Sequence, residues 1–430
     1  MNSVLNPAKM LLKAAFASRY VRAVATLSTG QFIAAAIPIL AAPVLGRLYL
    51  PVDYGMLGTY MAIANVLGAM STLQFAQGII AEKNERRAIL LVYVCFLSAT
   101  AVSLVALVVA LATYHYMGES AAYASVRGWM LMLPLTSMAA GATTAIATLA
   151  NRHQRYGFMA RIQVLAVAVT VSMSIFLGLL DYGVHGLFIS YFSGQVITIV
   201  AHLRLYRLLM PELPKINWAK LVTIARRHRD FPFYTLPSEI VGTINLQLPI
   251  FALSAVGAVP LLGSFTRARQ LISMPLTLLG SSVGQVFRQR ASRDYLEHGT
   301  CRPIFKRTFL TLVLIGLPPT IILMVIAPDL FRLFLGRNWG QAGEVARILA
   351  PMLFLRLVCS PISTVFYFTG AQKQAFLLMG AGVVLVAIGV LPPVFSDTDP
   401  YISIYGFSLA YSIIYLCFLA GSWHFSVRPQ

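Results

Sequence analysis

The sequence predicts an all-α polytopic membrane protein of about twelve transmembrane helices, arranged as two parallel six-helix halves around a central cavity. Three observations predict it. First, 58% of the 430 residues are hydrophobic and only 11% are charged, with a mean hydropathy of +0.76. Apolar runs recur at the roughly 20-residue length that crosses a hydrocarbon core about 30 Å thick. Second, the basic residues between those runs alternate in sidedness. Third, stretches of the first half recur in the second.

Taken in order, residues 1–23 carry Lys9, Lys13, Arg19 and Arg22 and read as a cytoplasmic basic surface helix. The apolar run from Val24 is too long for a cleaved secretory signal and lacks a convincing cleavage site. The first six spans are expected near 24–45, 56–80, 88–112, 128–150, 160–180 and 184–205. Pro38 and Pro43 mark kink points in the first, and Gln31, Asn65, Gln74 and Gln77 supply polar groups to the first two. The last six are expected near 233–256, 259–285, 306–327, 344–369, 375–395 and 401–423. The seventh contains Asn245, Gln247 and Pro249, the eighth contains Arg267, Arg269, Gln270 and Pro275, and the tenth contains Arg356. The domains expected are thus a six-helix bundle over 24–205, a cytoplasmic amphipathic linker over 206–232 and a second bundle over 233–424.

The charges agree with this threading. With the N-terminus in the cytoplasm, 25 of the 33 Lys and Arg fall on the inside, five fall outside and three lie within spans. That asymmetry predicts an even number of spans and two cytoplasmic termini. It also accounts for the net charge of +19, so nucleic acid is not an expected partner. Cys95, Cys359 and Cys417 fall within spans and Cys301 in an inside loop, a distribution with no disulfide framework or zinc spacing. No metal or organic cofactor is expected.

The repeat is carried by two matches. Tyr54-Gly-Met-Leu-Gly-Thr-Tyr60 resembles Val259-Pro-Leu-Leu-Gly-Ser-Phe265. Span four, with Leu133-Pro134, ends in Asn151-Arg-His-Gln-Arg-Tyr-Gly-Phe158, while span ten, with Ala350-Pro351, ends in Thr369-Gly-Ala-Gln-Lys-Gln-Ala-Phe376. Six spans per half make the repeats parallel, related by an axis along the membrane normal. In the linker, Trp218, Leu221, Val222 and Ala225 can share one helical face with Lys220, Arg226, Arg227 and Arg229 opposite. That pattern predicts a helix tethered to an anionic leaflet.

The functional argument rests on Arg267, Arg269 and Arg356. At about 1.5 Å per residue from an outer turn near 258, the first two lie roughly 13 to 17 Å deep, and Arg356 reaches a similar level. An arginine there costs at least about 2.5–3.5 kcal/mol unless it faces a wet cavity or a partner. All 14 carboxylates fall in loops or at span ends, so the expected cavity is cationic. Arg267 and Arg269 are about 200° apart around a helix, so only one is expected to share a face with a given ligand. Gln270, Asn245 and Gln247, with Gln31 and Asn65 from the first half, are the expected polar lining.

The strings Gly46-Arg-Leu-Tyr-Leu-Pro-Val-Asp-Tyr-Gly55, Phe231-Pro-Phe-Tyr-Thr-Leu-Pro237 and Gly263-Ser-Phe-Thr-Arg-Ala-Arg269 resemble the Wzx-type polysaccharide flippases. These belong to the multidrug/oligosaccharidyl-lipid/polysaccharide (MOP) exporter superfamily, which also contains the MATE transporters, and the resemblance runs from about Ala25 onward. It implies a bacterial inner-membrane protein, not an enzyme. Such a protein turns undecaprenyl-pyrophosphate-linked oligosaccharides from the cytoplasmic to the periplasmic leaflet for O-antigen (lipopolysaccharide), capsule or exopolysaccharide synthesis. A polysaccharide polymerase and a chain-length regulator are the implied partners besides the glycan and the bilayer. Relatives have a cationic central cavity, and Arg267 and Arg269 correspond by position.

Arginine suits that task independently, because it offers a permanent charge with paired donors shaped for phosphate oxygens. Two other transporter readings remain at this point, a lipid II flippase and a multidrug exporter of the same superfamily. The first usually has two further spans, which find no place after Ser422, and the second needs intramembrane acids for cationic drugs. An enzyme reading, a polytopic polymerase or glycosyltransferase, has only Asp397-Thr-Asp399, a pair more simply read as a polar turn before Pro400.

Overall fold

A computed structural model describes residues 29–119, 123–124, 126–209 and 217–427. The expected N-terminal surface helix and the beginning of the linker lie outside the described residues. Within them the chain is helical, with one isolated antiparallel bridge between Thr300 and Val427. In order, the helices are α1 (Thr29–Leu48), α2 (Pro51–Met70), α3 (Phe75–Ala81), α4 (Glu85–Glu119), α5 (Arg127–Met130), α6 (Leu133–Arg152), α7 (Tyr156–Leu179), α8 (Gly183–Leu209) and α9 (Trp218–Arg227). After a π turn at Phe231–Thr235 come α10 (Leu236–Ala255), α11 (Val259–His298), α12 (Arg302–Leu335), α13 (Gly340–Ile362), α14 (Val365–Phe368), α15 (Gln372–Val390), α16 (Pro392–Phe395) and α17 (Tyr401–His424).

Ten helical stretches among the described residues are long and apolar enough to cross a membrane. An eleventh is the α2–α3 pair, bent by 49°. The bend falls at Leu73 and Gln74, both with positive φ. There the Gln74 amide donates to the Ala69 carbonyl at 3.1 Å and the Ser71 hydroxyl to the Gly68 carbonyl at 2.6 Å, so side chains satisfy backbone groups that the break releases. Gln74, a polar group expected from sequence to be available to the cavity, is thus bonded to its own backbone. The expected eighth span lies within α11, a 40-residue helix that ends at His298 with Gly299 in the left-handed region as its C-cap. Its length suffices, but Arg267, Arg269 and the basic, polar second half keep it outside the apolar set.

The chain divides into two compact units. One comprises the chain up to Ala41 with Ile63–Ile240, and the other comprises Ala42–Ala62 with Val241–Gln430. The division therefore runs through α1, α2 and α10.

In the first unit, α4 lies beside α6 and α7 beside α8, and α3 and α9 close against α4. Phe75, Ile79, Leu91, Cys95, Leu149, Leu221 and Ile224 form its largest apolar cluster. The linker helix α9 begins where the Asn217 side chain accepts the Ala219 amide at 3.0 Å, an N-cap. Part of its apolar face is buried in protein: Leu221 and Ile224 enter the cluster, while Trp218 stays 66% exposed. The helix thus packs on α4 through Leu221 and Ile224, and Trp218, Lys220, Arg226 and Arg229 remain exposed. Glu82, only 6% exposed, lies 3.2 Å from His228 Nε2, 3.8 Å from Arg227 and 3.9 Å from Arg87. Burial raises its carboxyl pKa, but the His228 contact, the Asn84 amide and the two guanidinium charges outweigh that and hold it below the ordinary carboxylate value. Arg152 ties the same corner together, bonding Glu85 at 2.9 Å and the carbonyls of Ile79 and Glu82.

In the second unit α13 is the central helix, flanked by α11, α12 and α17, and α15 lies against α17. The segment 42–62 is held by small residues that bring backbones together. A Cβ on Gly46 would collide with Leu335, and one on Gly263 would collide with the Pro51 carbonyl. Trp339 Nε1 donates to the Gly46 carbonyl at 2.7 Å, and the Arg47 guanidinium donates to the Pro43 carbonyl at 2.7 Å.

Candidate anion site

The second unit brings two of the three intramembrane arginines to one place. On α11, Arg267 and Arg269 point to different surroundings, as their angular separation requires. Arg267 is 3% exposed. Its guanidinium lies 4.7 Å from the centroid of the Tyr54 ring, and Nη1 donates to Gln270 Oε1 at 3.2 Å. Its Nε and Nη2 are buried with no hydrogen-bond partner among the described residues. Tyr54 reaches this position because Gly55 and Gly58 let α2 approach Val259 and Thr266 of α11 closely. Two of the strings that carried the family resemblance, Gly46–Gly55 and Gly263–Arg269, therefore pack on one another.

Arg269 is half-buried on another face of α11. Its Nη1 donates to the Leu246 carbonyl at 2.8 Å, and its guanidinium lies 5.8 Å from the Phe265 ring. It is close enough to Arg356 of α13 and to Tyr411 and Tyr415 of α17 for their charges and dipoles to act on it. Tyr411 and Tyr415 are one turn apart with ring centroids at 5.7 Å, and the Asn245 amide donates to the Tyr411 hydroxyl at 3.1 Å. Asn245 Oδ1 is buried without a partner. No carboxylate pairs with Arg267, Arg269 or Arg356 among the described residues.

Arg356 also lines a cavity of about 120 Å³. Ser273, Leu276, Thr277, Gly280 and Ser281 form its α11 wall, spaced so that one helical face supplies all five. Leu353, Arg356, Leu357 and Ser360 form the α13 wall.

Among the sequence-predicted site residues, Arg269, Arg356 and Asn245 share this neighbourhood, and Gln270 partners Arg267. Gln247 is half-buried on α10 with no hydrogen bond among the described residues. Gln31 and Asn65 are exposed and belong to the first unit. Sequence reasoning missed Tyr54, Tyr411, Tyr415, Ser273 and Ser360. The Tyr411–Tyr415 spacing of one helical turn was a usable signal, but 19 tyrosines in an apolar chain dilute it. Asp399 accepts the Tyr401 amide at 2.9 Å and so acts in the turn that starts α17.

Comparison with known proteins gives a family and a fold. A family profile described as polysaccharide biosynthesis protein matches residues 44–344. No curated protein matches the sequence. In structure the chain is similar to the lipid II flippase MurJ in an inward closed conformation, with a TM-score of 0.70 at 14% identity, over 93% of this chain and 87% of that one. It is also similar to a MOP-superfamily transporter from Pyrococcus furiosus, with a TM-score of 0.53 at 16% identity, over 94% and 95% of the two chains. A mutant form of a Vibrio cholerae MATE transporter, VcmN, aligns with a TM-score of 0.54 at 11% identity, over 96% of each chain.

Proposed function

The chain belongs to the polysaccharide biosynthesis protein family and has the fold of the MOP-superfamily transporters, and from that premise we propose that it is a flippase for undecaprenyl-pyrophosphate-linked oligosaccharides. The cargo would be turned from the cytoplasmic to the periplasmic leaflet of a bacterial inner membrane, with both termini of the protein cytoplasmic. The observation that carries this reading is the half-buried cationic face formed by Arg269 and Arg356, with no carboxylate among the described residues to neutralise it. A pyrophosphate offers the compensating charge, and guanidinium groups bind its oxygens with paired donors. Tyr411, Tyr415 and Asn245 add neutral donors beside the charges. Gln247 is assigned to the sugar path on the same reading, Gln270 to orienting Arg267, and the polymerase and chain-length regulator to downstream handling of the product.

The test is translocation in proteoliposomes. A labelled undecaprenyl-pyrophosphate oligosaccharide is supplied, and leaflet exposure is read with a membrane-impermeant glycosidase. Removing a charged hydrogen-bond donor costs about 1.5–3 kcal/mol, so Arg269→Ala is expected to slow flipping about ten- to a hundredfold in protein that still folds. Flipping at the wild-type rate in both Arg269→Ala and Arg356→Ala overturns the assignment of the site. Faster flipping of lipid II than of any oligosaccharide overturns the assignment of the cargo.

A further inference from the structure

We propose that the cavity between α11 and α13 is a subsite for a single tetrahedral oxyanion, one phosphoryl group, held by Arg356 and by serine hydroxyls from both walls. The proposal refines the flippase reading, and rests on it only in taking the lipid headgroup as the physiological source of that phosphoryl group.

Four features point to this ligand. Arg356 is a permanent cation lining the cavity, and it has no hydrogen bond or ion pair among the described residues. Its charge therefore has no protein partner where it lies. Ser273 Oγ, on the opposite wall, is buried without a hydrogen-bond partner. A buried hydroxyl left unpaired is unfavourable, so the pocket is incomplete as it stands. Ser281, two turns along α11, and Ser360, one turn from Arg356 on α13, also border the cavity. Side chains with donors thus stand on both helices that wall the cavity. Finally, about 120 Å³ is the room of a few water molecules, enough for one phosphoryl group.

The neighbouring charge assigns the order of contacts. Arg269 lies close enough to Arg356 for the two to act on each other electrostatically, but it is tied to the Leu246 carbonyl and is not part of the cavity wall. One phosphate of a diphosphate enters the pocket at Arg356 while the second stays beside Arg269. The two arginines then have separable roles, Arg356 reading a phosphoryl group of any origin and Arg269 reading the diphosphate.

The experiment is calorimetric titration of the full-length protein in detergent with inorganic phosphate, with chloride as the control anion. Wild-type protein is expected to bind phosphate in preference to chloride. Arg356→Gln is expected to weaken binding about tenfold or more and Ser273→Ala by a smaller factor, while Arg356→Lys recovers part of the loss by restoring charge without the planar fork. Ser273→Ala removes one oxygen and keeps the readout available if Arg356→Gln does not fold. No phosphate binding by the wild type, or phosphate binding as tight as the wild type's in both Arg356→Gln and Ser273→Ala, overturns the subsite. A second arm places the protein in nanodiscs with or without undecaprenyl pyrophosphate. Displacement of phosphate by the lipid supports the headgroup as source, and phosphate binding that the lipid leaves unchanged supports a site for the free anion. Flipping without phosphate binding overturns the subsite and leaves the flippase reading intact, whereas phosphate binding without flipping does the reverse.

Discussion

Arg267 and Arg269, two residues apart on α11, have different surroundings and so different expected roles. Arg267 is sealed against Tyr54 and Gln270, a position in which a cation over a desolvated aromatic face gains about 2 kcal/mol or more. Replacing Tyr54 with leucine removes the ring and leaves the buried charge facing hydrocarbon. The expected result is about 2–4 kcal/mol of lost stability, read as a lower unfolding midpoint in detergent, while Tyr54→Phe keeps the ring and most of the stability. Equal midpoints for wild type and Tyr54→Leu would assign Arg267 to substrate rather than to structure. The arginines themselves were legible in the sequence, since an intramembrane cation without an acid stands out in any hydropathy reading. Their partners were not: Tyr54 lies over two hundred residues from Arg267, and Tyr411 is more than a hundred and forty from Arg269.

At the scale of elements, α9 shows what amphipathicity alone leaves undecided. Its apolar and basic faces are plain in the sequence, but a lipid leaflet and an apolar surface on α4 satisfy the same pattern. Beside that apolar contact, Glu82 gathers His228, Arg227 and Arg87 at the end of α3. Because the Glu82 carboxyl is held below its ordinary value, its contribution is complete above the ordinary carboxylate range and is lost as pH falls through the lowered value. Hydrogen exchange of residues 217–228 is therefore expected to be slow and flat from neutral pH down to about 4.5 and to accelerate below it, once intrinsic exchange rates are divided out. Glu82→Gln is expected to give fast exchange already at neutral pH. Exchange in Glu82→Gln that matches the wild type would assign the docking of α9 to Leu221 and Ile224 alone. The break between α2 and α3 escaped the sequence reading for a related reason, since Leu73 and Gln74 carry no glycine or proline signal and adopt positive φ only because neighbouring side chains bond the released carbonyls.

For the whole molecule, a flippase moving a diphosphate outward carries negative charge across the membrane field. Each such charge gains roughly 2.3 kcal/mol per 100 mV of inside-negative potential. Proteoliposomes clamped with potassium and valinomycin are expected to flip faster with the cytoplasmic side negative and more slowly when the gradient is reversed. Equal rates at both polarities would mean that co-transported cations neutralise the cargo. The division of the chain matters at the same scale, because Ala42–Ala62 belongs with the C-terminal unit through contacts that tolerate no side chain at Gly46 or Gly263. Gly263→Val is expected to abolish accumulation of folded protein, measured as monodisperse material after detergent extraction, because its side chain would occupy the position of the Pro51 carbonyl.

The sequence by itself determined that this is a helical membrane protein, roughly how many spans it has, and that three arginines lie within them unaccompanied by acids. Those properties follow from the interaction of each residue with lipid and water, which is local and additive along the chain. Only the tertiary structure decided that Tyr54 covers Arg267, that Arg269 and Arg356 share a face with Tyr411 and Tyr415, and that the linker helix docks on Glu82. These are relations between distant segments, set by where small residues let helices approach, and no single segment carries them.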